Sequence, residues 1–321
     1  MTDLATLANF LVTHPAVAEK AGIHDAYGHA LEISGNVRLG DDCAAIKNPS
    51  GIGHLLFAAE GMLESFVESD PWFAGYSAIM VNLSDIAAMG GRAVAITDIL
   101  WSPSEEISLK IWQGMQQAAL AYGVPIVGGH TTRTVSGRAM LGAAVLGHAG
   151  EQLITSFDAK PDDHLVIAID MHGSFHGDKP FWNSSTTTSP TRLRAELEML
   201  PALAEKGLCY AGKDISNGGI IGTLAMLCHC SNLGATLDLD HLPCPLDAEI
   251  ERWLTAFPSY GYLLAIAPEH LESTINHFAT TWITCREIGK FKAASGITIR
   301  VDAESISLEF PRGKPVATMD A

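Results

Sequence analysis

Residues 81–90 read Val81-Asn82-Leu83-Ser84-Asp85-Ile86-Ala87-Ala88-Met89-Gly90, and their reading decides the fold. Ile79, Val81, Leu83, Ile86 and Met89 recur on neighbouring turns of a helix predicted from Phe73 to Met89, which Gly90-Gly91 ends. Asn82 and Asp85 stand one turn apart and project from one face. A carboxylate among so many apolar residues is partly buried, at a cost of several kcal/mol unless a cation or hydrogen-bond donors compensate it. Asp85 is therefore an internal cap or ion pair, or else one arm of a metal site.

Working outward, Asp41-Asp42 follow Gly40 just before a predicted strand, Cys43–Lys47. The turn Asn48-Pro49-Ser50-Gly51 leads to a second strand, His54–Ala59, which Glu60 closes. Carboxylates on separate segments suit Mg²⁺, which takes hard oxygen ligands and bridges to substrate phosphates. Downstream, a strand is predicted over Ala93–Ile99. Ser102-Pro103-Ser104-Glu105 has a capping-box arrangement, with Pro103 at the first helical position. The helix it opens carries Ile107, Ile111, Met115, Ala118, Ala119 and Tyr122 on one face. Strands follow at Val124–Val127 and Ala139–Leu146, with Val127-Gly128-Gly129-His130-Thr131-Thr132 beside the first. Its glycines would let backbone N–H groups approach a phosphate, although an ordinary tight turn reads the same way.

A second unit is predicted to begin near Glu151, giving domains over residues 1–150 and 151–321. It holds strands at Leu165–Ile169, Ala235–Leu239 and Tyr262–Ala267 and helices at Arg192–Lys206, Gly218–Cys230, Ala248–Ala256 and Glu269–Thr280. The polar stretch Phe181–Pro190 reads as a loop outside the core. Trp182, Asn183 and Arg192 could recognise a heterocycle with an anionic tail, or belong to a plain surface loop. His172 and His176, four apart among glycines, read as residues of a solvated loop or a substrate contact, with metal binding as the alternative. Lys213-Asp214-Ile215-Ser216-Asn217-Gly218-Gly219 has the turn and cap chemistry of a helix start, where phosphate or metal contact is the sharper reading.

The chain has 321 residues, a net charge of −16 and 47% hydrophobic residues, which excludes a disordered chain. Such an acidic balance argues against sequence-independent nucleic-acid binding but leaves an anionic substrate open. No apolar run approaches the ~20 residues of a membrane helix, and Met1-Thr2-Asp3-Leu4 lacks the flank of a signal peptide. A cytoplasmic protein is expected. Six cysteines in a chain of this length form no disulfide framework, and Cys228-His229-Cys230 reads as buried thiols rather than a zinc site.

Four segments resemble one family in order as well as content: Gly40-Asp41-Asp42-Cys43-Ala44-Ala45-Ile46, the run Val81–Gly90, Gly128-Gly129-His130-Thr131, and Asp214–Gly219. The family is the aminoimidazole ribonucleotide (AIR) synthetase-like superfamily, whose members include thiamine-monophosphate kinase, selenophosphate synthetase and a hydrogenase maturation factor. The chain looks most like the kinase and the AIR synthase-related proteins. The resemblance implies an α/β (α+β) fold, with an N-terminal α/β domain that dimerises through its sheet and a C-terminal α/β sandwich domain. It implies ATP bound with Mg²⁺ and phosphoryl transfer by a kinase or ligase. Carried over position by position, Asp41, Asp42, Asp85 and Glu60 would hold metal. Asn82, Gly128, Gly129 and Thr131 would lie by the nucleotide, and Asp214 and His130 would serve catalysis.

The chain departs from the kinase pattern at named positions. His130 replaces an aspartate, Asn217 replaces another, Glu60 stands for an aspartate, and Thr155-Ser156-Phe157-Asp158 replaces Arg-Arg-Ser-Gly. Two main readings stay open: an ATP- and Mg²⁺-dependent enzyme acting on a small metabolite, and a nucleotide-binding, non-catalytic or regulatory homologue. Metal binding through His130 without nucleotide is a third. A homodimer is expected, because the N-terminal half has too little helix to cover both faces of a sheet. No membrane partner is expected.

Overall fold

His14-Pro15 parts two short helices, α1 (Leu4–Thr13) and α2 (Pro15–Gly22), in a computed structural model that describes residues 3–22, 38–135 and 137–310. The elements that follow are β1 (Ala44–Lys47), β2 (His54–Gly61), α3 (Glu64–Ser69), α4 (Pro71–Ala88), β3 (Gly91–Ser102), α5 (Glu105–Tyr122), β4 (Ile126–Arg133) and β5 (Met140–Ala149). Next come β6 (His164–Asp170), β7 (Ser174–Phe175), β8 (Phe181–Asn183), α6 (Pro190–Leu197), α7 (Met199–Glu205), β9 (Ala211–Asp214), α8 (Gly219–Cys230) and β10 (Gly234–Asp238). The last are α9 (Ile250–Leu254), β11 (Phe257–Pro258), β12 (Gly261–Ile266), α10 (Leu271–Phe278), β13 (Ile283–Lys292), β14 (Gly296–Val301) and β15 (Glu304–Leu308). No described helix is long and apolar enough to cross a membrane.

Contacts gather the chain into two units. One unit takes Asp42–Leu153 and Ser185–Lys206; the other takes the described residues up to Asp41, Ile154–Ser184 and those from Gly207 onward. In the first unit a five-stranded sheet runs β1-β2-β5-β3-β4, with α4 packed on β2, β3 and β5 and α5 packed on α4. Every residue of α4 from Phe73 to Ala88 is buried, which explains its nearly unbroken apolar sequence. The helices approach closely because Gly75 lies against the Ile111 carbonyl and Gly114 against that of Trp72; a Cβ at either would collide with backbone. The sheet's other face stays open, with Ile46, Phe57, Ile99, Met140 and Leu146 each more than two-fifths exposed.

In the second unit a seven-stranded sheet runs β15-β14-β10-β13-β6-β12-β9 and carries α8 on one side, while α10 packs on β13. β6 and β12 are buried almost throughout and form its apolar centre, with Leu165, Ile167 and Leu263 fully enclosed.

Three local expectations are corrected. The cap of α5 is Ser104, whose side chain accepts from Ile107 N, while Ser102 Oγ closes the preceding turn. The single helix expected over Arg192–Lys206 is two, α6 and α7, with Pro201 near the start of the second, where a missing N–H is tolerated. The polar stretch from Phe181 enters the core: β8 pairs with β7 and β11, and Trp182, Ser184 and Ser185 are buried. Trp182 packs edge-on against Trp253 and Phe175, and its indole N–H donates to the Asp170 carbonyl, so one aromatic residue carries a polar segment inward.

Candidate functional site

The site in the first unit is built from the loop before β1 and the last turns of α4. Asp42 and Asp85 each offer a carboxylate oxygen, and the two lie within 4.8 Å of one another. Asp85 is 6% exposed and Asn82, one turn earlier, is fully buried. The Asn82 amide donates to Ala78 O at 2.8 Å and to Ala143 O at 3.3 Å, which ties α4 to β5. Its Oδ1 is buried and receives no hydrogen bond among the described residues. Oxygens on one Mg²⁺ stand roughly 3–4 Å apart, given metal–oxygen distances of about 2.1 Å. Two carboxylates and an amide oxygen lacking a donor are hard ligands of the kind that ion takes, so the residues fit it.

Asp41 does something else. Its carboxylate accepts from Ser156 N at 3.1 Å and from Ser156 Oγ at 2.6 Å. Arg38 lies over the Phe157 ring at 4.2 Å and pairs with Asp158 at 3.2 Å. The stretch Thr155–Asp158, where the kinases carry arginines, here anchors the segment Arg38–Asp41. The two neighbouring aspartates therefore have different duties, one structural and one facing Asp85.

Gly128, Gly129, His130 and Thr131 are exposed on β4, an edge strand paired only with β3. An edge strand presents a row of backbone amides away from the sheet. His130 pairs in register with Ile99 on the open face, and its Nε2 lies 3.0 Å from Thr132 Oγ1. Among the described residues it is not grouped with the two carboxylates. Glu60 is exposed near the end of β2, opposite Ala143.

Asp214 ends β9 in the other unit and is 3% exposed. Thr223 Oγ1 donates to its carbonyl and accepts from Ser216 N, which fixes the turn into α8. Trp182 is occupied in the core as described, and Asn183 stands beside it in β8. Arg192 pairs with the buried Glu196 at 2.6 Å. His172 Nδ1 lies 3.1 Å from the Asp170 carboxylate, and His172 packs edge-on against Trp282. Burial pushes the thiols of Cys209, Cys228 and Cys285 up to about 12, so these cysteines stay protonated.

Sequence reasoning passed over Asp98. It stands in β3 between the fully buried Ile96 and Leu100, and alternation alone assigns it to their face. It is 1% exposed, and neither carboxylate oxygen has a hydrogen-bond partner among the described residues. Burial pushes its carboxyl above the usual aspartate value.

Residues 40–149 match the AIR synthase related protein, N-terminal domain, and residues 164–302 match the AIR synthase related protein, C-terminal domain. An uncharacterized protein of Synechocystis sp. is 45% identical over 84% of this chain and 83% of its own length. A solved structure of T. maritima PurL complexed with ATP superposes with a TM-score of 0.77 at 16% identity, over 99% of this chain. This chain spans about half of that PurL, at 54% of its length. AaThiL complexed with AMPPCP and TMP superposes with a TM-score of 0.65 at 19% identity, over 89% of this chain and 95% of that one.

Proposed function

Because the chain belongs to the AIR synthase related protein family, we propose that it is an ATP-dependent enzyme that activates a small metabolite by phosphoryl transfer, in the manner of a kinase or a synthetase. The observation that carries this reading is the approach of Asp42 to Asp85; one turn before Asp85, the Asn82 oxygen is buried and has no hydrogen-bond donor among the described residues. PurL and ThiL structures that hold ATP or AMPPCP on this fold support it.

Asp42 and Asp85 would hold Mg²⁺, which would supply charge neutralisation to a triphosphate. Helix α4 holds Asp85 rigidly. We assign the backbone of Gly128, Gly129 and Thr131 to the nucleotide, with β4 offering N–H donors from its outer edge. His130, beside Ile99 on the open face, is given no phosphate contact, and Asp214 belongs to the other unit and is given no place at this site. Glu60 is a reserve carboxylate for a second ion. Trp182 and Arg192 already have protein partners, so no part in substrate recognition is assigned to them.

Calorimetric titration with ATP and AMPPCP tests the assignment. Wild type binds both with a strong Mg²⁺ requirement, Asp85→Asn loses at least about tenfold in affinity, and His130→Asp leaves the Mg²⁺ dependence unchanged. An Asp85→Asn protein that binds ATP normally and is less stable without metal makes Asp85 a structural ion pair, and the reading fails. Binding without ADP release in the presence of metabolite extracts selects the non-catalytic homologue.

We further propose a homodimer joined through the open face of the five-stranded sheet. Ile46, Phe57, Ile99, Met140 and Leu146 expose a patch there that a second copy would cover. Sedimentation gives a dimer for wild type and a monomer for Phe57→Glu; monomer alone for wild type refutes the assignment.

A further inference from the structure

His172 stands just past the end of β6 in the second unit, held by the buried Asp170. The Asp170 carboxylate accepts from His172 N at 2.8 Å, and the same oxygen lies 3.1 Å from His172 Nδ1. Asp170 is 1% exposed, whereas the imidazole it holds is 51% exposed. Across that ring, Nε2 makes no hydrogen bond among the described residues. Trp282 meets the imidazole edge-on, with ring centres 5.3 Å apart, and is 60% exposed. The surrounding segment is braced. Trp182 Nε1 donates to Asp170 O at 2.9 Å, and Asp170 N donates to Tyr260 O at 3.1 Å. Arg252 lies over Phe175 and donates to Gly177 O and Lys179 O. A Cβ at Gly173 would come within 2.8 Å of Asn183 O and Trp182 Nε1, so only glycine lets the chain pass this closely.

A carboxylate on Nδ1 keeps the proton on that nitrogen and leaves Nε2 with the available lone pair. The same carboxylate offsets the positive charge that the ring gains when Nε2 bonds to an electrophile. A turn that needed only a cap would be served by the bond to His172 N; the second contact orients the ring as well. Beside it, the indole offers an apolar face to a flat group. We propose that His172 is the nucleophile of a second site, one that takes aromatic esters, with Asp170 positioning the imidazole and Trp282 flanking the aryl group. Nε2 bonds to the carbonyl carbon, and the bond to the phenolate oxygen breaks, its electron pair leaving with the phenolate. Water then attacks the acyl carbon, and the C–N pair returns to Nε2. One proton of the water ends on the acid and the other on the phenolate, so ester and water become acid and phenol.

The probe is 4-nitrophenyl acetate on the full chain, without ATP or Mg²⁺, followed by release of nitrophenolate. Wild type should cleave it with saturation and at least about tenfold faster than His172→Gln, which keeps the background of the remaining histidines. Acid quenching and peptide mapping should find the acetyl group on His172. Asp170→Asn should lose a similar factor, because the amide no longer holds Nδ1–H toward a carboxylate. Trp282→Ala should raise KM several-fold and change kcat by less than about twofold. Equal rates for wild type and His172→Gln overturn the proposal, as does cleavage that never saturates. An unchanged rate in Asp170→Asn removes the positioning role and overturns it too. Should that buried variant not fold, His172→Gln and Trp282→Ala, both at exposed positions, decide the matter alone. Failure here leaves metal-dependent ATP binding untouched, and failure of ATP binding leaves this result standing.

Discussion

Asp85 and Asp98 are buried in the same unit, at 6% and 1% exposure, yet their surroundings differ in kind. Asp85 shares its space with the carboxylate of Asp42. Asp98 receives no hydrogen bond on either oxygen among the described residues, and both oxygens are closed off from solvent. Two carboxylates held together concentrate negative charge, and a divalent cation relieves it at one stroke. A lone carboxyl in an apolar wall has an easier escape, which is to keep its proton. The upward shift of Asp98 follows from that burial. Burial alone therefore does not say what an aspartate is for; the neighbouring charge decides between a metal and a retained proton.

The largest effect that could break this comparison is metal-linked stability. Mg²⁺ with AMPPCP should raise the melting temperature of wild type, with about 2.7 kcal/mol of stabilisation at roughly a hundredfold excess over Kd. Asp85→Asn should abolish the increment, and Asp98→Asn should retain it in full. Differential scanning calorimetry of the three proteins, with and without Mg²⁺, reads this directly. If both variants lose the increment alike, the two aspartates serve one site and the distinction collapses.

Much of this site is legible in the amino-acid sequence. Helical spacing around Val81–Met89 puts Asn82 and Asp85 on one buried face, because the 3.6-residue period is a local property. The pairing of Asp42 with Asp85 is also within reach, since two acidic segments amid apolar ones invite a shared ion. The divergence of Asp41 from Asp42 is not: it depends on Ser156, more than a hundred residues along the chain, and no local pattern links them. Trp182 misleads for a related reason. A Ser- and Thr-rich neighbourhood reads as solvent-facing, whereas the residue is drawn inward by Trp253 and the Asp170 carbonyl, contacts that only tertiary packing supplies. Asp98 is visible in principle. Strand alternation puts it on the face of Ile96 and Leu100, and a carboxylate at a core position is the anomaly most worth noticing.

The smaller effect sharpens the comparison from the Asp98 side and needs no ligand. A carboxyl whose folded value lies above its ordinary 3.8 favours folding most when protonated. Its contribution is present below 3.8 and is lost as pH rises through the raised folded value. Above that window wild type carries a buried carboxylate lacking donors among the described residues, which costs on the order of 1–3 kcal/mol. Asp98→Asn has no proton to lose. Its melting temperature should therefore sit close to wild type near pH 3.5 and rise above it with increasing pH, the gap levelling off once Asp98 is fully ionised. Arg194 is the charged residue that lines a groove together with Asp98, so repeating the series in Arg194→Gln separates its field from burial, and the gap should widen there. An Asp98→Asn protein less stable than wild type at neutral pH would mean that the carboxylate has a stabilising partner.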